Sequence, residues 1–153
     1  MNFWEASTNT LQQWHWVGML LARLSVGLLF TISGAGKLFV RDRRQQMRET
    51  LVVARIPAPK LSAVVVSSVE LLFGASLVAG FLTPLSCLML IGVMLGALST
   101  TILPGLKATS FISWLGGFLY LPEVPYIVIL LWLLFSGPGW LRLDHLLLSS
   151  PGR

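Results

Sequence analysis

LSAVVVSSVELLFGASLVAGFL, residues 61–82, decides the fold, because its one charge is Glu70. A run of about 20 apolar residues spans the roughly 30 Å hydrocarbon core of a bilayer as a helix. An ionised carboxylate near the middle of such a helix is costly, so it faces a bundle interior and a partner. Arg23 is the only charge within residues 16–36 and is the partner expected at a comparable depth.

The rest of the chain has the same character. It is 55% hydrophobic with a mean hydropathy of +0.79, well beyond soluble composition. Its 153 residues are expected to form a single membrane domain, 1–153, an all-α integral membrane four-helix bundle. The spans are expected at about 16–38, 61–82, 85–103 and 118–136. Pro122, Glu123 and Pro125 interrupt the fourth, so residues 111–120 complete it as a kinked or interfacial segment. The first span is too long for a signal h-region and is preceded by Glu5 rather than a basic segment, so it reads as retained.

Six of the eleven basic residues (Arg41, Arg43, Arg44, Arg48, Arg55 and Lys60) fall in the loop at 40–60. This clustering is a topology signal and gives no reason to expect nucleic acid as a partner. With Lys107 the loop side carries seven basic residues, and the terminal side carries Arg142 and Arg153. The positive-inside rule then makes 40–60 cytoplasmic and both termini external. The loop is also expected to attract anionic lipid. Met47, Leu51 and Ala54 recur at i, i+4, i+7, which predicts a short amphipathic helix over 41–55 lying on the membrane. Pro57 and Pro59 end it, and Thr83-Pro84 turns the chain between the second and third spans.

Residues 1–14 read as an exposed arm. His15 lies among tryptophans at the expected water interface, and His145 also lies outside the spans, so no bis-His haem fits the bundle. Cys87 is the only cysteine, which excludes an internal disulfide. No metal site is expected.

Three segments resemble the DoxX family of small bacterial integral membrane proteins. ARLSVGLLFTISGAGKLF (22–39) is similar to the R-x3-G…G-x-x-K pattern of the family's first helix. IPAP (56–59) leads into ELLFGASLVAGFLT (70–83), and GPGWLRLD (137–144) is similar to the family's G-P-G-x-x-S-L-D ending. Lys60 and Arg142 depart from that pattern, standing where the family carries apolar and small residues. The resemblance implies a four-helix, multi-pass protein of the bacterial inner membrane. It also implies association with membrane oxidoreductase assemblies, including thiosulfate:quinone oxidoreductase.

At 100° per residue, Arg23, Gly27, Gly34 and Lys37 share an arc of roughly 80° on the first helix. Ser67, Glu70 and Gly74 share roughly 60° on the second. Glycine on such faces lets helices approach closely. If the stripes meet, Arg23 and Glu70 differ in depth by roughly 7 Å. Three outcomes stand open: a buried pair fixing helix register, a pocket or proton path using Arg23, Glu70, Lys37 and Ser67, or no Arg23–Glu70 contact. Lys37 also reads as a snorkelling anchor. Asp144 reads as a helix cap or a partner of Arg142. Gly92 and Gly96 match the G-x3-G close-packing pattern and bear on helix packing or a homo-oligomer. Trp132 inside the last span reads as a lipid contact.

The functional expectation is a membrane subunit, not catalytic by itself, that anchors or exchanges quinone with an oxidoreductase assembly. The redox centres would lie in soluble or membrane partner chains, with quinone the only cofactor. The alternatives are a small-molecule or ion permease and a ligand-free membrane scaffold. The chain shows neither a nucleotide-binding loop nor the repeats a transporter would carry.

Overall fold

The computed structural model describes residues 14–105 and 110–136. The arm at 1–13, Lys107, the 137–144 ending with Arg142 and Asp144, His145 and Arg153 lie outside the described residues. Among the described residues, six α-helices follow one another: α1 (His15–Phe39), α2 (Arg41–Val53), α3 (Pro59–Ala79), α4 (Thr83–Ala97), α5 (Phe111–Leu119) and α6 (Glu123–Ser136). A π-helical turn, Leu98–Ile102, and a 3-10 turn, Leu103–Gly105, extend α4.

Among the described residues, three helical segments are long and apolar enough to cross a membrane: Trp16–Phe39, Pro59–Ala79 and Thr83–Thr100. The bent pair α5 and α6 brings the total to four when taken as one span. The protein is thus an all-α membrane bundle.

Local chemistry sets the boundaries. Gly80 ends α3 in the left-handed conformation at φ 71°, where a side chain would strain the backbone. Its N–H donates to the Leu77 carbonyl, and that of Phe81 donates to Ser76. Pro84 then enters the first turn of α4, where its missing N–H costs nothing. The loop helix α2 stops at Val53, two residues short of the expected 55. Arg55 and Ala58 turn left-handed there, flanking Pro57. In the π turn, the hydroxyls of Ser99 and Thr100 both donate to the Gly96 carbonyl and compete with the regular ladder.

The fourth apolar run is interrupted at Pro122, where the sequence places the kink. The helices α5 and α6 meet there at 59° across residues 120–122. Pro122 cannot donate into the preceding turn and crowds its backbone, so α5 ends before it and α6 begins after it.

The bundle core is built by Met19, Val26 and Phe30 from α1, Leu77 from α3, Cys87, Leu90 and Ile91 from α4, and Leu130 and Leu133 from α6. Phe30 meets Tyr126 edge to face, with ring centroids 6.2 Å apart. The helix α3 packs most extensively on α1, and α4 links α3 to α6. Leu21, Ile32, Leu72, Leu88 and Val128 point outward, as side chains solvated by lipid should. Trp132 is partly exposed on the same outer surface.

Candidate functional site

Backbone contact between α1 and α3 sets the geometry of the site. A Cβ added to Gly34 would lie 2.5 Å from the Leu71 nitrogen and 2.7 Å from the Ser67 carbonyl oxygen. One added to Gly74 would lie 2.7 Å from the Thr31 nitrogen, and one on Gly27 3.0 Å from the Val78 nitrogen. Gly27 therefore sits against Gly74 and Val78, and Gly34 against Ser67 and Leu71. The helices are antiparallel, and these interlocked glycines fix their register.

That register brings Glu70 opposite Ser33 and Lys37. The Lys37 ammonium donates to both Glu70 carboxylate oxygens at 2.8 Å, and the Ser33 hydroxyl donates to Oε2 at 3.2 Å. Glu70 is 2% exposed, whereas the Lys37 side chain is 26% exposed. The acid is thus enclosed between helices, and the base is reachable from one side. The low-dielectric surroundings strengthen these charge-assisted bonds, and together they offset part of the cost of burying the carboxylate.

Of the three outcomes open for Arg23 and Glu70, this register gives the one without a contact between them. Arg23 lies one turn beyond Gly27, level with the turn after α3, and about 21 Å of helix at 1.5 Å per residue separates it from Lys37. It is buried at 7% exposure near the end of the bundle away from the basic loop. The depth expected from the sequence assumed that the apolar runs begin level with each other. Instead α1 extends past the end of α3, which adds about one and a half turns to the separation. Lys37 belongs to the pair and is not merely an anchor at the helix end. Ser33 was not anticipated, although its i, i+4 spacing to Lys37 places both on one helical face.

The remaining candidates take other positions. The Ser67 hydroxyl donates to the Ala63 carbonyl at 2.7 Å, and its own carbonyl faces Gly34, so it serves the helix contact. Gly27, Gly34 and Gly74 lie in that contact. Gly92 and Gly96 do not pack within the bundle: both are exposed, and an added Cβ would meet nothing within 4 Å among the described residues. The Arg43 side chain lies across Gly36, and the Arg44 guanidinium donates to the Leu38 carbonyl, folding the start of α2 onto the end of α1.

Antiparallel spans joined by a buried, serine-assisted ion pair define a multi-pass membrane protein with a polar site between its first two spanning helices. The DoxX family profile matches residues 18–102, more than half of the chain, and takes in α1–α4 with Ser33, Lys37 and Glu70. The chain belongs to the DoxX family. No curated protein and no solved structure matches it.

Proposed function

We propose that this protein is an inner-membrane subunit of a quinone-linked oxidoreductase assembly whose redox centres lie in partner chains. The observation that carries this reading is the state of Lys37. Its ammonium has three protons, two of which point at Glu70. The third has no acceptor among the described residues, on a side chain a quarter exposed beside the bilayer interior.

A donor so placed suits a carbonyl oxygen of a quinone headgroup, and a bound quinone would supply the two-electron carrier. Lys37 orients that oxygen by a hydrogen bond. Glu70 holds the ammonium in place, and Ser33 holds the carboxylate. The pair can also release a proton toward the headgroup and regain it from the loop side. Family membership supports the assembly partner.

The test is purification in mild detergent, with mass spectrometry of co-eluting chains and extraction of bound quinone. Wild-type protein should carry quinone and oxidoreductase subunits. Lys37→Met/Glu70→Gln removes both charges together and should lose quinone while keeping those subunits. Equal quinone in wild type and double variant would overturn the site, and absence of any oxidoreductase chain would overturn the assembly.

One observation favours the ligand-free scaffold: both Glu70 oxygens are already occupied from within the chain. That reading requires the double variant to keep full assembly activity. In either case we place the basic loop in the cytoplasm. In a Cys87-free background an introduced thiol at Ser150 should react with an impermeant reagent in intact cells, and one at Gln45 should not.

A further inference from the structure

The basic loop helix and the start of α3 enclose a second feature that the Lys37–Glu70 site does not use. A groove of about 450 Å³ is lined on one side by Gln45, Arg48, Glu49, Val52 and Val53, which follow one another at i, i+3, i+4, i+7, i+8 along α2. Pro59 and Lys60 form the other side.

The charges of the groove are not balanced internally. Gln45 donates to the Glu49 carboxylate at 3.0 Å, and Arg48 and Lys60 against this one acid leave the lining with an excess positive charge. Arg48 and Lys60 are both exposed and make no hydrogen bond or ion pair among the described residues. Two cations therefore stand at the rim of a groove whose floor is apolar. Val52 is 59% and Val53 84% exposed.

Exposed apolar side chains follow the groove's last lining residue along α3. Leu61, Val64 and Val65 follow Lys60 on α3, and each is about half exposed or more. A cationic rim above a lipid-facing apolar ridge matches one molecule in charge and in shape: a phospholipid with an anionic headgroup. A soluble anion would use the rim and leave Val52, Val53 and the ridge uncovered. A zwitterionic lipid would cover the ridge but bring its own cation to the rim.

We infer that the groove between α2 and the first turn of α3 binds one anionic phospholipid, its phosphate between Arg48 and Lys60 and an acyl chain along Leu61, Val64 and Val65. The bound lipid fastens the loop helix to the bilayer surface. It thereby steadies the end of α1 from which Lys37 projects.

Native mass spectrometry of the full-length protein in a neutral detergent, titrated with phosphatidylglycerol or phosphatidylcholine, tests this directly. Wild type should retain one phosphatidylglycerol in preference to phosphatidylcholine. A basic residue near an anionic lipid surface contributes about fivefold in affinity, so Arg48→Gln/Lys60→Gln should weaken retention about thirtyfold. Arg41→Gln/Arg55→Gln removes the same charge from positions outside the groove and should keep the lipid. Equal weakening by the two double variants would reduce the effect to net charge and overturn the site. Equal retention of both lipids by wild type would overturn it as well. Circular dichroism on each variant checks that the helices persist, which is expected because all four residues are exposed. An unfolded groove variant would be replaced by Arg48→Lys/Lys60→Arg, which keeps both charges and must retain the lipid.

Discussion

Two glycine-bearing faces of this bundle have similar sequences and opposite fates. On α1 and α3, Gly27, Gly34 and Gly74 bring backbones so close that no side chain fits. On α4, Gly92 and Gly96 keep the G-x3-G spacing, yet both face outward with open space above them. The glycines permit a close approach in either place, but they do not supply the attraction. Between α1 and α3 the attraction comes from the ion pair across the contact and from Phe30 and Leu77 packed in the core beside it. In lipid, hydrophobicity alone gives helices no reason to associate, so a close-packing motif draws in no described helix without such partners.

The largest effect is expected where the contact holds its charge. Lys37→Met strands the Glu70 carboxylate at 2% exposure, and losing one member of a buried pair costs about 3–5 kcal/mol. Glu70→Gln should cost less, because the surviving lysine is a quarter exposed and can turn to water. Thermal unfolding in mild detergent should rank Lys37→Met below Glu70→Gln. The double variant should be more stable than the summed single losses predict, and strict additivity would show that the pair is not coupled.

Backbone contact comes next. Gly34→Leu forces a side chain into the Leu71 and Ser67 backbone and should destabilise by at least the roughly 1–3 kcal/mol typical of overpacking. Gly92→Leu and Gly96→Leu should stay within about 0.5 kcal/mol of wild type in the same assay. A large loss at Gly92 or Gly96, accompanied by a smaller particle on gel filtration, would mean that α4 packs against a second copy.

Smaller again is the hydroxyl that supports the carboxylate. Ser33→Ala removes one donor to Glu70 and leaves Lys37 in place, so a loss of about 1 kcal/mol is expected in detergent melts. An effect as large as that of Lys37→Met would make Ser33 an equal member of the pair.

The smallest expected quantity is a coupling. Arg23 and Glu70 lie too far apart to share a contact, so Arg23→Met and Glu70→Gln should add to within about 0.5 kcal/mol. A larger interaction energy would revive the pairing that the apolar runs suggested.

Much of this was legible in the residues. The apolar runs around Arg23 and Glu70 mark spans because a bilayer requires about 20 apolar residues per helix, whatever their neighbours. Glu70 stands out because no other charge shares its run, and a buried charge must face inward. The helical period alone places Gly27, Gly34 and Lys37 on one face. The amphipathic pattern of Met47 and Leu51 specifies α2, in which Leu51 is buried.

The identity of the partner was not legible, because it depends on the axial offset between two helices. Counting from the ends of apolar runs assumes that those ends are level. Interlocking Gly34 with Ser67 and Leu71 instead sets the offset, carries Arg23 past the end of α3 and brings Lys37 to Glu70. The outward turn of Gly92 and Gly96 has the same origin. Sequence determines what each helix can bury, because that follows from the solvent and the helical period. Tertiary structure decides what each helix buries it against, because that depends on where the backbones come closest.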